Sequence, residues 1–198
     1  MRKLLKGILE FREQRREKLR PTFARLARGQ KPDTLFIACS DSRVAANVFA
    51  STNPGEMFVV RNVGNLVPPP SKDVGEGEAV AAALDYAVEV LKVKDIVVCG
   101  HSHCGAMAAT MLGRQKAPTP ALRRWLRFVE PALKRLGRKP NDTDELGRVN
   151  VLCQLEHLQQ HKSVAKRVKQ GKLTLHGLFF DLEEMDVQYI DPGEAVWH

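Results

Sequence analysis

Three short apolar runs constrain the fold more than any other feature of this chain. Thr34-Leu-Phe-Ile-Ala leads into Cys39, Met57-Phe-Val-Val leads into Arg61, and Asp95-Ile-Val-Val leads into Cys99 and Gly100. They are continuous rather than alternating and only a few residues long, the pattern of strands buried on both faces in a parallel sheet. Between the second and third, Glu78 to Leu91 is rich in Ala and Leu, contains no Pro or Gly, and follows Gly75 and Gly77. That composition predicts a crossover helix. The β-α-β succession puts the chain in the α/β class, with a central, mostly parallel sheet flanked by helices. Further helices are expected over 106–111, 122–136 and 144–169, and closing strands over 173–182 and 187–190. Pro68-Pro69-Pro70 marks a rigid loop. The pair Gly75 and Gly77 lacks the third glycine and the preceding strand of a dinucleotide fingerprint, which removes that function class.

A chain of 198 residues suffices for one domain with a full core, 1–198, in which 1–31 form a basic helical arm. The arm holds 11 Lys and Arg against 3 Glu, while 32–198 holds 20 of each sign, so the net charge of +8 resides in the arm alone. Leu4, Leu5, Ile8, Phe11, Leu19, Phe23 and Leu26 recur there at mostly helical spacing, and Pro21 is expected to divide the stretch into two helices. No DNA-reading motif accompanies the charge, so a solvated helix face is expected rather than a nucleic-acid contact. An apolar stripe with no second layer of its own predicts packing on another copy of the chain, making a homodimer the minimum assembly. The longest apolar runs are too short to span a bilayer, and no apolar segment of signal type follows the basic start. No membrane partner and a cytoplasmic location are therefore expected.

Polar, ligand-rich segments follow two of the apolar runs: Cys39-Ser-Asp41-Ser-Arg43 after the first and His101-Ser-His-Cys104 after the third. In an open parallel sheet, sites form beyond that end of the strands. Cys39, His101 and Cys104 offer two thiolates and an imidazole, a donor set suited to zinc that leaves a tetrahedral position for water. Burying either segment without a metal would strand polar groups. Asp41 and Arg43 stand two apart, so an extended segment puts both side chains on one side, where they can pair. Disulfides are not expected among four widely spaced cysteines without an export signal. Cys99 and Cys153 read as core residues, His103 as exposed and incidental, and His157 and His161 as surface or dimer-contact residues.

The segments Cys39-Ser-Asp-Ser-Arg-Val, Arg61-Asn-Val-Gly-Asn and His101-Ser-His-Cys-Gly, in that order and with 62 residues from Cys39 to His101, closely resemble the signature segments of β-carbonic anhydrases. The resemblance runs from about Leu4 to Asp181. It implies a lyase that binds one zinc ion through Cys39, His101 and Cys104 and interconverts carbon dioxide and bicarbonate by attack of zinc-bound hydroxide. Zinc acidifies bound water from about 15.7 to about 7, carbonic anhydrase being the reference case, and two thiolates should weaken this effect, so that activity rises with pH above neutrality. Asp41 and Arg43 match the family's catalytic dyad. Gln30, Phe58 and Tyr86 match positions that line its substrate pocket, partly across a dimer interface, in assemblies of two or four. Part of the family closes by moving the aspartate onto zinc; Phe36 replaces the tryptophan of the associated bicarbonate site, and an open site is expected here. Gly105-Ala replaces the common Gly-Gly, and Val90 replaces a histidine found in some plant relatives. Two other functions fit the residues: hydrolysis of a sulfur analogue such as carbon disulfide on the same fold, and a scaffold role in which the basic arm docks a partner. Resemblance of His-Ser-His-Cys-Gly-Ala-Met to cyanobacterial carboxysome members bears on the latter.

Overall fold

In the computed structural model, which describes every residue except 72–74, 76 and 192–195, the three apolar runs are neighbouring parallel strands. Strand β1 (Thr34–Cys39) lies between β2 (Met57–Asn62) and β3 (Asp95–His101), with Ala38 opposite Arg61 on one side and Cys99 on the other. Strands β4 (Thr174–Asp181), β5 (Asp186–Asp191) and β6 (Val196–Trp197) complete the order β2-β1-β3-β4-β5-β6. β4 is parallel to β3; β5 and β6 turn antiparallel. The continuous apolar character of β1 has a simple cause. Leu35 and Ile37 point into a cluster with Val80, Leu84, Val88, Val151 and Leu155, while Phe36 and Ala38 point into another with Val44, Ala46 and Phe180. Both faces are therefore covered, and each fully buried Leu or Ile contributes about 1.5–3 kcal/mol.

The chain divides into two compact units, Met1–Lys31 and Pro32–His198. In the first, α1 (Arg2–Glu10) and α2 (Arg16–Leu26) are joined without interruption by a π turn over Phe11–Arg15. Pro21 does not split the arm as its sequence suggests; it lies inside α2. The distortion lies upstream instead, where Arg16 N–H reaches back five residues to Phe11 O and Arg15 sits at φ −116°. A widened turn of this kind is a common way for a helix to absorb a local break in its ladder.

The second unit adds α3 (Ala46–Phe49), α4 (Glu78–Asp85), α5 (Gly105–Met111), α6 (Pro120–Trp125), α7 (Glu130–Leu136), α8 (Thr143–Gln160) and α9 (Lys162–Lys169). The crossover helix opens at Gly77, whose φ of +86° suits glycine, and runs on as a π segment over Tyr86–Leu91. The Asp142 carboxylate accepts Asp144 N–H at 2.9 Å and Glu145 N–H at 2.7 Å, capping α8. The helix expected over 144–169 is broken at His161, which takes an extended conformation (ψ 121°) between α8 and α9. No helix among the described residues is long and apolar enough to cross a membrane.

Candidate metal centre

Cys39 and His101 are the last residues of β1 and β3, and Cys104 caps α5 three residues on. Because β2 lies on one side of β1 and β3 on the other, the chain changes direction across the sheet between the ligand-bearing strands, the place where open α/β sheets hold ligands. The two sulfurs and an imidazole nitrogen all lie within 4.8 Å of one another, and all three residues are buried. Close packing is needed to bring them there. A Cβ on Gly100, next to His101, would stand 2.9 Å from Val151 Cγ2, so only glycine lets β3 pass α8 at this depth.

The donor set fits a divalent cation on two counts. His101 Nδ1 lies 2.9 Å from Ser102 O and must donate to it, since a carbonyl only accepts; the proton is then off Nε2, whose lone pair is buried without a partner. An uncompensated buried nitrogen is costly, and a metal is what such a lone pair lacks. The thiols tell the same story. Cys39 is pulled well below its ordinary pKa, first by the Cys104 thiol donating to it and also by Gly64 N–H at 3.3 Å, against the effect of burial. Cys104 is pushed up by that same bond and by burial. The pair holds one proton where a cation would let both ionise. The other two cysteines do not resemble them: burial pushes Cys99 up to about 12 and raises Cys153 as well, leaving inert thiols.

Asp41 and Arg43 face each other in a bidentate pair. Arg43 Nε donates to Asp41 Oδ1 at 2.9 Å and Nη2 to Oδ2 at 2.8 Å. The Arg43 side chain is what holds the Asp41 carboxyl well below the usual carboxylate range, so the group stays anionic. Asp41 is partnered by Arg43 and is not in the ligand cluster. A cleft of about 350 Å³ opens on Cys39 and Asp41 and is walled by Val63, Ala106, Ala109, Leu122 and Leu126.

The remaining sequence-predicted residues fall elsewhere. The rings of Phe58 and Tyr86 meet in a tilted contact with centroids 5.7 Å apart, but Phe58 pairs with Leu35, four residues before the ligand end of β1, which is about 13 Å back along the strand. Gln30 is exposed in the first unit. Phe58 and Tyr86 do not line the cleft. His103 is exposed, as its sequence suggests, with Nε2 3.1 Å from Glu183. His157 and His161, expected at the surface, are buried: His157 Nδ1 donates to Val67 O at 2.8 Å and His161 Nε2 to Pro68 O at 3.0 Å. The proline loop has carbonyls that no helix or sheet serves, and these imidazoles serve them.

Several contributors carry no label in sequence. Arg61 reaches from β2 to the end of β1 and donates to Cys39 O at 3.0 and 2.8 Å and to Asp41 O at 2.6 Å, fastening the segment that bears both. Gly64, at φ +84° and with Ala106 Cβ 3.0 Å from where a Cβ would sit, offers its N–H to Cys39. The only signal for either is the segment Arg61-Asn-Val-Gly-Asn, whose residue types name no chemistry.

A mostly parallel sheet with two thiols and an imidazole converging at its switch point defines an α/β protein with a group that could hold a metal ion. Comparison with known proteins gives the family: the carbonic anhydrase family model matches residues 34–187, and the chain belongs to that family, in its β class. It is 40% identical over 196 residues to a carbonic anhydrase of Pseudomonas aeruginosa, covering 96% of this chain and 88% of that one. It is 39% identical to a carbonic anhydrase of Synechococcus elongatus, covering 96% and 71% respectively. Among solved structures, the β-carbonic anhydrase CcaA superposes with a TM-score of 0.91 at 34% identity over 100% of this chain and 91% of that one. A pair of tetrameric β-carbonic anhydrases from Sordaria macrospora gives 0.82 at 28% identity over 96% and 95%.

Proposed function

We propose that Cys39, His101 and Cys104 hold one zinc ion and that the site hydrates carbon dioxide reversibly to bicarbonate and a proton. The observation that carries this is the orphaned Nε2 of His101, buried beside the sulfurs of Cys39 and Cys104, with the ligand atoms all within 4.8 Å of one another. Zinc held there supplies an acidified water as nucleophile, an effect for which carbonic anhydrases are the reference case. The chain's own residues do the rest. Asp41, kept anionic and fixed by Arg43, accepts a hydrogen bond from the attacking water and turns its lone pair toward the substrate. Val63, Ala106, Ala109, Leu122 and Leu126 offer an apolar wall to an uncharged, non-polar substrate. Gly64 N–H and the Arg61 brace hold the Cys39 end of the site.

Gln30, Phe58 and Tyr86 would then complete a pocket shared with a second copy, and the arm's exposed Leu4, Leu5, Ile8 and Phe11 are the surface such a copy would cover. A dimer or tetramer with shared pockets follows, and likeness to the tetrameric Sordaria enzymes supports it. Zinc analysis with stopped-flow hydration assays of wild type and Cys104→Ser tests the whole reading, with carbon disulfide assayed in parallel. The expected result is one zinc per wild-type chain, turnover that rises with pH above neutrality, and loss of both metal and turnover in the variant. Wild-type protein without stoichiometric zinc, or a variant with undiminished turnover, would refute it.

A further inference from the structure

Arg43 is held on two sides. One is its carboxylate partner; the other is a backbone carbonyl, His103 O, which accepts from Arg43 Nη2 at 3.1 Å. That carbonyl belongs to a residue in the left-handed region, at φ +54°, which residues other than glycine occupy uncommonly, histidine more readily than most. Such a conformation persists only where the surroundings over-determine it. Here the surroundings are visible. His103 N–H donates to Asp144 Oδ1 at 2.8 Å, and Asp144 sits in the first turn of α8, 41 residues away in sequence and fixed in turn by the Thr143 hydroxyl and the Asp142 cap. The imidazole of His103 meets Glu183, but both side chains are more than half exposed, so this second tie is weak.

We infer that Asp144 is a positioning residue for the catalytic dyad: by holding the left-handed peptide of His103, it aims His103 O at Arg43, and Arg43 in turn aims Asp41. The inference rests on the dyad reading above. An acceptor, not a charge, is what the geometry asks of residue 144, since its partner is a neutral amide. Asp144→Ala removes the acceptor and Asp144→Asn keeps it.

The test uses the zinc-loaded, full-length protein. Asp144→Ala should lower kcat/KM for carbon dioxide hydration by about tenfold to a hundredfold, the scale of a misaligned catalytic group, with zinc content unchanged. Asp144→Asn should restore the rate to within about threefold. A second readout does not depend on turnover: in ¹⁵N-labelled protein the Arg43 Nε–H resonance, shifted and protected from exchange by Asp41, should broaden or move in Asp144→Ala and keep its wild-type position in Asp144→Asn. An Asp144→Ala protein within twofold of wild type, an Asn variant as impaired as the Ala variant, or an unmoved Arg43 resonance overturns the inference. Loss of zinc from Asp144→Ala overturns it too, for Asp144 would then act on the ligands rather than on the arginine. If wild type itself fails to hydrate carbon dioxide, the functional reading falls, while the resonance still reports whether Asp144 aims Arg43.

Discussion

At the scale of single residues, the thiol pair makes a prediction about protons. With Cys39 ionised and Cys104 protonated near neutral pH, binding a divalent cation expels the shared proton, on the order of one per site from the thiols. Titration calorimetry of zinc into metal-free protein in two buffers of different ionisation enthalpy reads this number directly. Arg43→Met should leave Asp41 with only the backbone N–H of residue 43, at 3.0 Å, as a partner, lowering kcat/KM about a hundredfold and freeing the carboxylate to approach the metal, which zinc-edge spectroscopy would detect as an added oxygen ligand. Cys39, His101, Cys104, Asp41 and Arg43 were all legible in sequence because their side chains name their chemistry. Gly64 and the His103 carbonyl were not. Any residue carries a peptide N–H and C=O, and only the fold says where these point.

At the scale of elements, α8 proves to be more than a core helix. Along one buried face Asn150 donates to Gly64 O at 3.3 Å, Gln154 accepts Val67 N–H at 2.8 Å and donates to Phe128 O at 3.2 Å, and His157 serves Val67 O. The loop they grip carries Gly64 and hence a hydrogen bond to Cys39. Gln154→Leu would strand several of these partners and should cost about 2–4 kcal/mol of stability by denaturant unfolding. Burial lowers the pKa of His157, so the folded protein resists protonating it while the unfolded chain, at about 6.5, does not. Below that pH the unfolded state binds the extra proton, and stability should fall as pH drops from about 6.5 toward the depressed folded value, with no contribution from this group above. His157→Gln should flatten that slope, as read by thermal melts at pH 5.5 and 7.5. Strand positions were readable from their continuous apolar runs, and the crossover helix from its Ala and Leu. The polar ladder was not, since Asn150, Gln154, His157 and His161 look like a solvated face until the loop lies against it. Pro21 misled for the opposite reason: its local rule is strong, yet α2 runs through it and the only distortion lies upstream, over Phe11–Arg15.

At the scale of the whole molecule, charge and apolar stripe set the arm apart in sequence, and the structure divides into compact units at Lys31, but the sequence could not say what faces the arm. If a second copy completes the pocket with Gln30, Phe58 and Tyr86, then diluting the enzyme should lower specific activity in step with the dimer population seen by mass photometry, and removing residues 1–31 should shift that equilibrium toward monomers. The sheet itself limits how copies can join. Its two borders are unlike: β2 leaves six residues with one side of the ladder open, whereas on the other border Ile190 and Asp191 of β5 are paired by β6 and Tyr189 exchanges both backbone bonds with His198, leaving only a short free stretch. Head-to-tail stacking would have to match a long border to a short one, while β2 can meet its own copy across a two-fold axis. A strand open on one margin and a short, partly covered stretch on the other would favour closing on a like copy over open-ended growth, so a β2–β2 pair rather than a fibre is the expected outcome.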